Sequence, residues 1–260
     1  MPLGAAPFFR ETEPFLAKDR KNEYNEGTFE MGARQMVYSS VVSGHFLARP
    51  NRFIALVERE GSVETCHVKN TGRCRELLTA GAKVYLAESV NPNRKTKYDL
   101  IAVEKGPLLI NMDSQAPNQV AEEYLPQLFP EMISYRREVK WGNSRFDFSV
   151  ETPGEHWFLE VKGVTLEDHG VVLFPDAPTE RGVKHLEELC RASQEGFRTC
   201  VLFVVQMEGV RYFTPNRLTH PEFATALEKA AHQGVRLEAV ECHVTPDSLT
   251  PTRPVTIQLF

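Results

Sequence analysis

Residues 144–166 read SRFDFSVETPGEHWFLEVKGVTL, and this stretch decides how the second half of the chain folds. It holds two apolar runs of strand character, FDFSV and WFLEV, each interrupted by acidic or basic residues where a buried sheet would carry none. Side chains at i and i+2 of a strand project from one face, so Glu160 and Lys162 stand together. If the two runs pair as an antiparallel hairpin, Asp147 lies beside them. Charges inside an apolar sheet are costly unless paired. Two neighbouring carboxylates repel, and a hard divalent cation relieves that repulsion. The expected site therefore has Asp147 and Glu160 as ligands of Mg²⁺ (or Mn²⁺), with the carbonyl of Val161 as a further oxygen. Glu138, on the preceding strand, is expected as a third carboxylate. Lys162 would orient or deprotonate a water, or stabilise charge on a phosphate. The plain alternative is a solvated Glu–Lys strand pair.

Working outward, SQAPNQVAEEYLPQLF (114–129) places Val120, Tyr124, Leu125 and Leu128 at helical spacing. YRREVKWG (135–142) precedes the hairpin as a strand, and HWFLEVKGVTL runs on to Leu166. A helix from about Thr179 to Glu195, the buried strand CVLFVVQM (200–207), a helix from Pro221 to Gly234 and the strand RLEAVECHV (236–244) follow. This order predicts an α/β domain with a mixed sheet over 113–260. Its helix–three-strand–helix–strand core fits the PD-(D/E)XK nuclease fold. Pro175-Asp176 lies after the Glu-x-Lys strand, so Asp147 takes the role of that motif's Asp. On the second helix Thr179 reads as an N-cap. Arg181 and Lys184 read as a phosphate-facing edge, with His185 one turn beyond Arg181.

Residues 36–112 have a different character. Short β-branched and aromatic runs are punctuated at close intervals by Gly, Pro and Asn clusters, predicting a small all-β barrel or sandwich. Asn70-Thr71-Gly72 is a turn. Lys69, Asn70, Arg73 and Arg75 around it are candidate DNA contacts, and Arg94, Lys95 and Lys97 form a second basic loop. Phe46, Phe53 and Tyr85 read first as core by their period-two spacing, with base stacking as the alternative. Charge divides at the same boundary. Residues 36–112 carry 11 basic and 7 acidic residues, while 113–260 carry 14 and 22.

The whole chain has 260 residues, 42% hydrophobic and 25% charged, with a formal net charge of −5. Those values exclude disorder, collagen and coiled coil as global readings. The longest strongly apolar stretch, Cys200–Met207, is far shorter than the roughly 18 residues of a membrane span. Five scattered cysteines without a CxxC read as free thiols in a reducing cytoplasm. Residues 1–35 show no sustained period and are expected to be a flexible extension. No GxGxxG, GxxxxGK[ST], HExxH or GxSxG occurs, so no nucleotide cofactor is expected. The sequence sets no oligomeric state; a homodimer is one option.

The segments REVKWG (137–142), SRFDF (144–148), EVKGVTL (160–166) and FPDAPTERGVKHLEEL (174–189), with HVKNTGRCRELL (67–78), closely resemble the sugar fermentation stimulation protein A (SfsA) family. The resemblance covers about residues 37–260. It implies an N-terminal OB-like β-barrel that binds DNA and a C-terminal PD-(D/E)XK nuclease-like domain. It also implies that the family's acidic and lysine positions fall on Glu138, Asp147, Glu160 and Lys162. The function expected is a DNA-binding protein with Mg²⁺-dependent nuclease-like chemistry. The rival is a DNA-binding transcriptional regulator of sugar (maltose) metabolism genes that does not cut.

Overall fold

Alternation of buried and half-exposed residues, as along IALVER where Ala55 and Val57 point inward, makes the first half a set of strands. The computed structural model describes residues 35–70, 72–91 and 93–259. The expected extension, apart from Gln35, lies outside the described residues, as do Thr71 and Pro92. After β1 (Met36–Val37) come β2 (Val41–Asn51), β3 (Ile54–Arg59), β4 (Ser62–Val68), β5 (Lys83–Glu88), β6 (Tyr98–Lys105) and β7 (Leu108–Asn111). Strand β2 pairs antiparallel with β3 and with β5, β3 pairs with β4, and β5 pairs with β6. A parallel pairing of β4 with β6, from Cys66↔Tyr98 to Val68↔Leu100, closes these five strands into a barrel. Closure leaves the barrel without a free edge. This is the OB arrangement, and β7 extends it along β6.

The second half contains α1 (Ala116–Leu128), β8 (Ser134–Trp141), β9 (Ser144–Thr152), β10 (Glu155–Val164), β11 (Leu166–Asp168), β12 (Val171–Phe174), α2 (Glu180–Gln194), β13 (Arg198–Val205), β14 (Tyr212–Pro215), α3 (Pro221–His232), β15 (Arg236–Val244) and β16 (Ser248–Pro254). The large sheet has the order β1-β16-β15-β13-β10-β9-β8. Strands β10, β13 and β15 are parallel and buried; the outer pairings are antiparallel. The crossovers through α2 and α3 place these two helices against each other, and α1 packs into a separate core with the sheet. Edge strand β8 carries exposed Arg136, Arg137 and Lys140, charges that discourage edge-to-edge pairing.

Two features depart from the sequence reading. The run through Leu166 is broken: β10 ends at Val164, and Leu166 opens a small sheet of order β11-β12-β14. Those strands have three or four residues each, too few to show a period. Strand β16 contains Pro251 and Pro254, which argue against a strand, yet it pairs with β15 across a register shift.

One apolar cluster runs from the barrel interior into the α2/α3 side of the sheet, and a second lies between the sheet and α1. A buried polar knot joins the two halves. Gln206 donates to the Asn111 side chain (2.9 Å) and the Asp113 carbonyl (3.1 Å). Asp113, 1% exposed, accepts from Lys69 Nζ (2.9 Å) and the Tyr38 hydroxyl (3.2 Å). All five cysteines are free and buried; burial pushes the Cys66 and Cys74 thiols up to about 12. No helix among the described residues is long and apolar enough to cross a membrane.

Candidate functional site

The β9–β10 ladder runs from Glu155↔Thr152 to Leu159↔Phe148, and Asp147 and Glu160 would be its next rung. At that point Asp147 Oδ2 accepts the Val161 backbone N–H (2.7 Å), so a side chain takes the place of a main-chain partner. Asp147 Oδ1 accepts from Asn118 Nδ2 on α1 (2.9 Å). The strand rolls over here. Phe146 and Phe148 should share a face, yet Phe146 lies in the core against α2 and Phe148 in the core against α1.

Glu160 is held from the opposite side. Its Oε1 accepts from Lys162 Nζ and from His185 Nδ1 of α2. His185 Nε2 accepts in turn from Arg181 Nε (3.3 Å), which fixes the tautomer with the proton on Nδ1. Glu160 is 3% exposed, and its second oxygen, Oε2, is buried with no partner among the described residues. The electrostatics of the two acids diverge. Burial raises the Asp147 carboxyl and the Glu160 charge adds to it, outweighing Val161, Asn118 and Lys162. Burial would raise Glu160 too, but Lys162 and His185 more than offset it and hold this carboxyl below its ordinary range.

The structure thus places Asp147, Glu160 and Lys162 together and leaves Glu138 outside. Glu138 stands opposite Asp147 at a positive-φ irregularity (φ 55°), with an exposed side chain paired to Arg145 at 3.5 Å. Among the described residues no three His, Cys, Asp or Glu side chains form a group that could hold a metal. The expected carboxylate triad is corrected to a pair. That pair fits a divalent cation on one observation: Glu160 Oε2 is an anionic oxygen buried without a partner beside a second, repelling carboxylate.

The basic candidates separate in the same way. Arg73, Arg75, Arg181 and Lys184 are exposed. Lys69 is turned inward, between Asp113 and Asp99, which corrects its reading as a DNA contact. Arg94 is bound to Asp99 at 2.6 Å and Lys97 to Glu88 at 3.3 Å. Asn70 serves the turn, its Oδ1 accepting from the Gly72 N–H (2.8 Å). Thr179 caps α2, its hydroxyl accepting from the Gly182 N–H (3.1 Å).

Three contributors were not legible as such. Asn118 reads only as an early residue of α1, and Arg49 as a strand residue with no motif. Asp176 stands outside the motif it mimics, yet it packs against the Asn70–Arg73 loop, where a Cβ on Gly72 would stand 2.0 Å from its Oδ2.

Residues 47–112 match the family described as SfsA N-terminal OB domain, and residues 115–248 match the sugar fermentation stimulation protein RE domain. The chain is 54% identical over 225 residues to a sugar fermentation stimulation protein homolog of Desulfitobacterium hafniense, covering 86% of this chain and 99% of that one. It is 49% identical over 226 residues to a homolog from Ruminiclostridium cellulolyticum, covering 86% and 100%. Among solved structures it is similar to that of Pyrococcus furiosus SfsA in complex with Ca²⁺. There the TM-score is 0.79 and the identity 26%, with 86% of this chain and 99% of that chain covered.

Proposed function

This chain belongs to the sugar fermentation stimulation protein family, and from that premise we propose that it binds DNA and hydrolyses phosphodiester bonds with a divalent cation. The carrying observation is the pair Asp147–Glu160 at the end of the β9–β10 ladder, with Glu160 Oε2 buried and unpartnered. The order α1, β8–β10, α2, β13 resembles the core of the PD-(D/E)XK nucleases. Asp147 and Glu160 would hold Mg²⁺ or Mn²⁺, aided by a main-chain carbonyl such as that of Val161. When bound, the cation supplies a water of lowered pKa and neutralises phosphate charge. Lys162 positions the attacking water or stabilises charge on the phosphate, and Asn118 and His185 hold the two acids in place. Exposed Arg73 and Arg75 on the barrel and Arg181 and Lys184 on α2 are the proposed phosphate contacts, flanking the loop contact at Asp176. The Pyrococcus furiosus relative was solved in complex with Ca²⁺, which supports a cation-binding reading.

The second reading is a DNA-binding regulator of sugar (maltose) metabolism genes that does not cut. It is favoured by the Lys162 ammonium, which already faces Glu160, and by the hydrogen bond that His185 donates to the same carboxylate. The deciding experiment incubates single-stranded, duplex and nicked DNA with Mg²⁺ or Mn²⁺. Cleavage that falls about 100-fold or more in Lys162→Ala is expected from losing one charge-stabilising donor. Equal activity in both proteins, or none with any cation, favours the regulator.

A further inference from the structure

Of the three barrel aromatics that spacing assigned to the core, Phe46 is buried and Tyr85 half-buried, but Phe53 is 44% exposed. A single exposed apolar side chain is ordinary. What sets Phe53 apart is how firmly it is presented. It occupies the tight turn between β2 and β3, where Asn51 pairs with Ile54. Its N–H donates to Asn51 Oδ1 (2.9 Å), and its carbonyl accepts from the Val68 N–H (2.8 Å). The Arg52 guanidinium lies 4.8 Å from the ring centroid.

Arg49 then ties this turn to the neighbouring loop. Its guanidinium donates to the carbonyls of Arg52 (2.8 Å), Asn70 (2.7 Å), Gly72 (2.9 Å) and Arg73 (2.9 Å). One side chain therefore ties the turn that carries Phe53 to the loop that carries Arg73. Arg52, Arg73 and Arg75 are exposed, and among the described residues none has a carboxylate partner. Three other basic candidates of the barrel, Lys69, Arg94 and Lys97, are all engaged in internal ion pairs.

We propose that this rigid face receives an unstacked base of a single-stranded nucleic acid, with Phe53 against the base and Arg52, Arg73 and Arg75 on the flanking phosphates. The proposal rests on the reading of the barrel as nucleic-acid-binding and adds the form of the substrate. An exposed ring among unpaired cations offers both elements that a single strand needs, a π-surface and a positive track. A duplex keeps its base faces stacked internally and presents its phosphates and the base edges in its grooves, so it engages the arginines but offers the ring no base face.

The test is fluorescence anisotropy with labelled 15-mers of dT and of rU and with a blunt DNA duplex, in EDTA so that no strand is cut. Phe53→Ala and Phe53→Thr are expected to weaken both single strands about 5- to 150-fold, the range for losing one base–aromatic stack. Phe53→Trp is expected to retain affinity, and duplex binding to change less than about twofold. Arg73→Glu should weaken single strands and duplex alike. Because Phe53 is outside the core, melting temperatures of its variants should stay close to that of the wild type. Unchanged single-strand binding in both truncations, or an equal loss on the duplex, overturns the stacking proposal while leaving nucleic-acid binding intact. A wild-type protein that binds none of the three probes overturns the nucleic-acid reading itself and this proposal with it.

Discussion

At the scale of single residues, the two acids of the site are made unequal by their neighbours. Glu160 is compensated within the protein, whereas Asp147 is raised by burial and by Glu160 itself. A cation held by the pair, as proposed, would act mainly on the uncompensated charge. Asp147→Asn is therefore expected to lower Mn²⁺ affinity at least about tenfold by titration calorimetry, since a neutral amide is a poor ligand for a hard cation. An unchanged affinity would show that the pair does not bind it. Asp99 is the opposite case, away from the site. Burial raises its carboxyl, but hydrogen bonds from Arg94 and His67 and the charges of Lys69 and Arg94 outweigh this and leave it lowered from 3.8. A lowered carboxyl contributes stability above its unfolded value and loses it as the pH falls through the folded one. Thermal melts of the wild type and Asp99→Asn should thus differ most near neutral pH and converge as the pH falls below 3.8. A gap that persists at low pH would contradict the sign.

At the scale of elements, α2 serves both packing and site. Its apolar face, with Leu186 and Leu189, enters the core, and the same face carries His185 to Glu160. Thr179 sets where the helix begins and so where Arg181 and His185 stand. Thr179→Ala is expected to cost about 1 kcal/mol in urea unfolding, and Thr179→Ser much less, because the hydroxyl is the capping group. Equal losses in both would point to the Thr methyl instead. Long elements are legible in the sequence: α1, α2, α3 and the buried parallel strands are each long enough to show a period or a sustained apolar run. Strands β11, β12 and β14 are too short to show a period, and they are held by pairing with one another.

At the scale of the whole molecule, the barrel and the second half share an apolar cluster and several polar contacts, two of which differ in kind. One is the buried knot of Asn111, Asp113, Gln206, Tyr38 and Lys69. The other is the fit of Gly72 against Asp176, which sets the basic loop of the barrel beside the start of α2. Gly72→Ala forces a Cβ into the Asp176 carboxylate and is expected to destabilise by about 1–3 kcal/mol, as overpacking does. Adding Asp176→Ala should return part of that loss, because the two changes share one contact. Strict additivity in denaturant melts would refute the contact.

The sequence by itself determined the two-part organisation, the long elements and the placing of Glu160 and Lys162 on one face. Each follows from composition, period or an i, i+2 relation, all of them local. Only the tertiary structure decided that Asn118 and His185 hold the two acids from opposite sides, that Glu138 stands apart, and that Lys69 is held by Asp113. The same holds for Phe53, whose period-two position promised burial. A strand's alternation says which residues share a face; it cannot say where a ladder stops, where a strand rolls, or which distant charge arrives to neutralise a lysine. Those depend on contacts between residues dozens of positions apart, such as the 44 that separate Lys69 from Asp113 and the 25 between Glu160 and His185.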